Sequence, residues 1–159
     1  TIFAADWGGT TAALACSRLV VTPGDSRLRI QTLIARATTT LDLAIYYLSD
    51  SAIRAALLTA KNRGVAVRVL LAATSEIAEN AATATTLTNA GIAVRTLANP
   101  TMHAKLIIAD GAAALIGSNN MSVTSLRDNR EVGVIVREAS AVTPTRAQFD
   151  ADWLAATPW

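Results

Sequence analysis

The sequence predicts an α/β fold built on a mixed, largely parallel sheet flanked by helices on both faces. From about Arg18 onward, short β-branched or leucine-rich runs alternate with amphipathic segments. Those segments carry helix start and stop signals. One pair of apolar runs meets at Asp110-Gly111, a dipeptide that favours a tight hairpin.

The elements follow in order. "RLVV" opens the first strand, and Asp25 or Ser26 caps a helix through Ala37. "LDLAIYYL" reads as a strand. Ser49 or Asp50 caps the next helix, in which Ile53, Ala56, Leu57 and Ala60 recur at the spacing of one buried face. Lys61 and Arg63 stand in its last turn, and Gly64 is the expected stop. "VAVRVLLA" follows as a buried strand. A third helix is expected from about Ser75 to Asn89, with a stop at Gly91, and "AVRTL" is the next strand. Pro144 stands where a final helix through Trp153 would begin.

Composition narrows the classes of function. At 159 residues, 52% hydrophobic and 16% charged, the chain fits one ordered domain. The net charge of +2 is small, the basic residues are scattered from Arg18 to Arg146, and aromatic residues make up only 4%. Nucleic-acid binding is therefore not signalled by charge alone. One cysteine, Cys16, and one histidine, His103, make an internal disulfide or a zinc centre improbable and leave the redox compartment open. No apolar run reaches the ~18 residues of a membrane helix, so a soluble domain is expected, with any membrane attachment left to segments outside it. Thr1 is not a start methionine and no leader-like pattern opens the chain.

"FAADW" at Phe3–Trp7 and "FDADW" at Phe149–Trp153 share four of five residues. Residues 1–9 are accordingly read as the tail of a preceding, homologous half, and residues 18–159 as the domain itself. Chance similarity between two helix ends is the competing reading.

The chemistry concentrates on "HAKLIIADGAAALIGSNN". A lysine inside an apolar run costs several kcal/mol if buried alone, so Lys105 must be exposed, paired or kept for a ligand. A two-residue loop at Asp110-Gly111 would pair Lys105 with Ile116 and His103 with Ser118. His103, Lys105, Ser118 and Asn120 would then converge on one side of one hairpin end. An imidazole, an ammonium, a hydroxyl and an amide together suit a phosphate.

The spacing His103-x-Lys105, four residues, Asp110, six residues, Gly117-Ser118-x-Asn120 resembles the HKD motif of the phospholipase D superfamily. "IYYLSDSAIRAALLTAKNRGVAVRVLL" before it and "SLRDNREVGVIV" after it resemble the flanking segments of that family, so the resemblance covers nearly the whole chain. It implies a phosphodiesterase that needs no metal or other cofactor and works through a covalent phosphohistidine, with a second histidine protonating the leaving oxygen. One histidine per chain implies that two HKD halves meet, as a homodimer or with a missing N-terminal half.

By the same resemblance, His103 is the nucleophile or acid, and Lys105, Ser118 and Asn120 hold the phosphate. Glu131 orients a histidine of the facing half. Asp110, in the turn, and Gly117 are read as structural members of the motif. Tyr46 and Tyr47 end a strand aimed at the site, one expected to line the pocket and the other to pack. Arg127 and Arg130 follow the motif and could meet an anionic substrate.

Three functions compete. The first is head-group hydrolysis or transfer on a phospholipid, as in phospholipase D and cardiolipin synthase, which the segment after the motif resembles most. The second is a homodimeric endonuclease of the same superfamily, which the chain length suits. The third is a non-catalytic half that props up an active partner.

Overall fold

A computed structural model describes residues 2–10 and 18–159 of the chain; Cys16 lies outside them. The helices are α1 (Ile2–Trp7), α2 (Ser26–Arg36), α3 (Ser51–Asn62), α4 (Asn80–Asn89), α5 (Val123–Arg127) and α6 (Ala139–Ala155). The strands are β1 (Leu19–Thr22), β2 (Thr40–Ile45), β3 (Ala66–Ala72), β4 (Ala93–Leu97), β5 (Lys105–Ala109), β6 (Ala113–Gly117), β7 (Glu131–Val136) and β8 (Thr157–Pro158). They form one sheet in the order β1-β7-β6-β5-β2-β3-β4-β8.

The α/β class, the mixed sheet and the helices on both faces match the sequence expectation. The strand directions correct it. Only β2–β3 and β3–β4 run parallel, joined by the crossover helices α3 and α4, while the other pairings are antiparallel. Alternation of strands and helices forces parallel pairing only between neighbours joined by a crossover. Here β5 returns beside β2, and β1 pairs with β7, so the sheet is mostly antiparallel.

Local signals explain the helix limits. The Asp50 carboxylate accepts from the Ala52 and Ile53 amides at 3.0 Å each and caps α3, whose Ile53, Leu57 and Ala60 are buried. Gly64 and Gly91, with φ of 91° and 77°, close the turns after α3 and α4, where a side chain would strain the backbone. Helix α4 starts at Asn80 and not near Ser75, because Asn80 is fully buried as a loop pin. Its amide donates to the carbonyls of Tyr46 and Ala72, and its oxygen accepts from Leu48 N. Helix α6 starts at Ala139, which places Pro144 inside it and not at its beginning.

Two apolar layers flank the sheet. Residues of α2, α3, α4 and α5, among them Ile30, Ile34, Leu57, Leu87 and Leu126, pack on the face that carries Leu43, Val69, Ile107 and Leu115. On the other face α6 sets Val142, Phe149 and Trp153 against Ala44, Leu70, Ile108 and Ala114. Arg68 of β3 clasps this helix. It bonds Asp42 of β2 and Asp150 of α6 at 2.7 Å each, and its guanidinium lies 4.8 Å from the Phe149 ring centre and 5.4 Å from that of Trp153. Arg95 covers Trp153 at 4.9 Å and donates to its carbonyl. The second copy of the F-x-A-D-W repeat is thus the segment that seats α6.

Candidate active site

The motif hairpin is built differently from the sequence expectation. Ala109 pairs with Ala113 and Leu106 with Ile116, so residues 110–112 form a three-residue turn and the register is shifted by one. Continued outward, it sets Lys105 opposite Gly117 and His103 opposite position 119, and Ser118 falls on the other side of the pleat. The cause is Asp110. Its carboxylate accepts from the Thr38, Thr39 and Thr40 amides and from the Thr38 and Thr39 hydroxyls, all at 2.8–3.1 Å. This ties the turn to the start of β2, and both Asp110 and Gly111 take positive φ, 54° and 60°.

Burial tends to raise the Asp110 pKa, but the three backbone amides and the Thr39 hydroxyl outweigh it and hold the carboxyl well below its ordinary 3.8. A group depressed in the folded state stabilises above its unfolded pKa, and that stability is lost as pH falls through the folded one. Asp110→Asn should therefore destabilise the fold by about 2 kcal/mol at neutral pH. Thermal melts from pH 6 downward check this: the gap between wild type and variant should narrow below about pH 4. A gap independent of pH would show that the charge is not what holds the turn.

At the opposite end of the hairpin, His103 is exposed and Lys105 is 8% exposed. The Lys105 ammonium lies 3.0 Å from each His103 ring nitrogen and donates to the His103 carbonyl at 2.8 Å. Tyr46 joins them. Its amide donates to Ala104 O, its ring centre is 4.5 Å from that of His103, and Lys105 Nζ lies 4.9 Å above it. Burial pushes the Lys105 pKa down, and the nearby charge of Glu131 opposes that shift. The lysine in the apolar run is paired, as its burial requires.

Glu131 sits at the start of β7 inside a shell of donors. Ser118 Oγ donates a short hydrogen bond to one of its oxygens, and Ser125 Oγ donates to the other at 3.1 Å, with Asn129 Nδ2 at 3.4 Å. Ser118 Oγ also accepts from Val132 N. The structure therefore joins Ser118 to Glu131 and not directly to His103. Gly117 lies opposite Gly133, and a Cβ on Gly117 would stand 2.5 Å from Gly133 Cα, so no side chain fits there. The Asn120 Oδ1 and both side-chain polar atoms of Asn119 are buried without a hydrogen-bond partner among the described residues.

Other sequence candidates separate here. Tyr46 contacts His103 and Lys105, whereas half-buried Tyr47 accepts at its carbonyl from Met121 N. Arg127 pairs with Asp128, and Arg130 with Asp6 and the Thr22 carbonyl. Ser125, Asn119 and the α6 side chains were not legible as site residues. Ser122, which caps α5 by accepting from Ser125 N, was the available signal for the first. A groove of about 360 Å³ runs from His103 and Lys105 along Leu106, Ile116 and Phe149, edged by Gln148 and Asp152. Among the described residues no three His, Cys, Asp or Glu side chains cluster as metal ligands, and no helix is long and apolar enough to cross a membrane.

Comparison with known proteins places this arrangement. Residues 30–153 match the family described as "Cardiolipin synthase, PLD-like domain". The chain is 31% identical over 126 residues to a mitochondrial cardiolipin hydrolase of Xenopus tropicalis, covering 79% of this chain and 60% of that protein. It is 31% identical over 117 residues to a cardiolipin synthase of Oceanobacillus iheyensis, covering 67% of this chain and 23% of that one. It thus spans less than two thirds of the length of either relative. Among solved structures, the phospholipase D family member Nuc from Salmonella typhimurium superposes with a TM-score of 0.83 at 26% identity, covering 89% of this chain and 96% of that one. With the family match running from α2 into α6 and His103 in contact with Lys105 at one end of the hairpin, the chain belongs to the PLD-like domain family of the phospholipase D superfamily.

Proposed function

We propose that this chain is one half of a metal-independent phosphodiesterase that hydrolyses or exchanges phospholipid head groups through a phosphohistidine. The observation that carries the reading is His103, exposed and in contact with the buried Lys105, whose ammonium in turn feels the charge of the hydroxyl-bound Glu131. A ring nitrogen of one histidine, written here as His103 although its counterpart in the second half can take the same part, attacks phosphorus, and the bond from phosphorus to the leaving oxygen breaks. The histidine of the second half gives that oxygen its proton. Water or an alcohol then attacks phosphorus, returns a proton to the second histidine, and breaks the P–N bond, which restores His103. Lys105 and Asn120 hold the phosphoryl oxygens, and charge on Lys105 offsets the charge that develops there. Glu131 takes the N–H of the facing histidine, and Ser118 and Ser125 keep its carboxylate aimed.

A second half is needed, since one chain holds one histidine. Support for a fused half comes from α1. Phe3 and Trp7 stack at 6.0 Å and 26°, as Phe149 and Trp153 do at 5.9 Å and 22°, yet Phe3 is 74% and Trp7 84% exposed. On this reading residues 1–9 end a preceding half whose own sheet would seat the pair. A site made by two identical copies, as in a homodimeric endonuclease, is the second reading, favoured by the 96% coverage of Nuc. The apolar groove at His103 and the cardiolipin hydrolase and synthase relatives favour lipid.

Product analysis tests this. Turnover of phosphatidylglycerol or cardiolipin by the complete two-half enzyme should survive EDTA, and a primary alcohol should divert product from phosphatidic acid to a phosphatidyl alcohol. Loss of activity in chelator would sink the mechanism. Cleavage of single-stranded DNA with lipid untouched would promote the nuclease, and no turnover of either would leave a non-catalytic half.

A further inference from the structure

A second groove, of about 270 Å³, lies between α2 and the far end of β7, on the sheet face opposite the His103 groove. Leu33 and Ile135 form its floor, and Arg29, Arg36 and Arg137 stand around it. The acids nearby are engaged elsewhere: Asp25 holds Arg29 at 2.8 Å, and Glu138 pairs with Arg18 and accepts from the Arg137 amide. Among the described residues neither Arg36 nor Arg137 meets a carboxylate within ion-pair distance. Two guanidiniums are left facing an open groove, which is the charge arrangement that takes phosphate.

The occupant follows from reach and from one exposed side chain. Glu131 and Arg137 stand six residues apart on an extended strand, about 20 Å, so the head group of one lipid cannot fill both this groove and the His103 site. A continuous surface or a polymer can. Leu28 of α2 lines the groove and is 63% exposed. No aromatic side chain is there to stack a base, so a nucleic-acid strand gains little from this surface. An apolar side chain among arginines suits a bilayer, where it enters the interface while the cations meet head groups.

We propose that the Arg36–Arg137 groove docks the domain on an anionic phospholipid bilayer, with Leu28 inserted at the interface. The docking needs no turnover, so it stands or falls separately from the phosphodiesterase reading. Co-sedimentation of the chain with vesicles of phosphatidylcholine, with and without phosphatidylglycerol, tests it. Wild type should partition onto the anionic vesicles and leave the neutral ones. The double variant Arg36→Ala/Arg137→Ala should lose roughly thirtyfold in partition. Leu28→Ser should weaken binding to the same vesicles. The charge-keeping double variant Arg36→Lys/Arg137→Lys should retain most of it, which separates lost charge from a lost fold. Partition by the alanine double variant equal to wild type, no preference for anionic vesicles, or binding of a single-stranded oligonucleotide in place of vesicles would each overturn the proposal.

Discussion

Replacing His103 by alanine is expected to lower turnover of the assembled enzyme by on the order of 10⁴-fold or more, because the covalent step then has no nucleophile or no acid. The fold should survive. The side chain is exposed, and its ring meets only Lys105 and Tyr46 among the contacts described. Steady-state rates with matched thermal melts check this. A variant that keeps most of its rate would return His103 to a structural role, and a variant that loses rate and melting temperature together would leave the chemical role unsupported.

The largest effect on stability is expected at Arg68. Asp42 is 2% exposed and bonds Arg68 at 2.7 Å from the facing position of β3. Arg68→Ala strands that carboxylate in the sheet and removes the cation over Phe149 and Trp153, so a loss of about 3–5 kcal/mol is expected. Denaturant unfolding measures it. Replacing both partners, Asp42→Leu with Arg68→Met, should recover much of the loss, since no buried charge is then left alone. A double variant no better than Arg68→Ala would show that the contacts of Arg68 with α6, and not the stranded charge, carry the effect.

Much of this was readable beforehand, for identifiable reasons. Helix α3 was legible because its cap, its apolar spacing and its stop all agree. The strand directions were not, because hydrophobic pattern says which residues are buried and nothing about which strand lies beside which. The hairpin shows the limit most clearly. Asp110-Gly111 correctly marked the turn, but the carboxylate found five donors on residues 38–40, 70 to 72 positions away, and that distant clamp set the register.

Candidate site residues could be named from the sequence, but their geometry could not. His103 and Lys105 do meet, whereas Ser118 bonds Glu131. Ser125 reaches Glu131 only because a short capped helix follows the motif, and five residues give too little periodicity to announce it. Arg68 and Arg95 look like ordinary strand charges until α6 lays two aromatic rings over them.

The measurement closest to the central claim is a covalent trap. The two-half enzyme would be quenched in alkali during turnover of a substrate labelled at phosphorus, and the labelled peptide mapped. The account predicts acid-labile label on His103 or on the matching histidine of the second half, and none when both are replaced by alanine. Turnover without histidine-bound phosphorus, or label that persists in that variant, would contradict it.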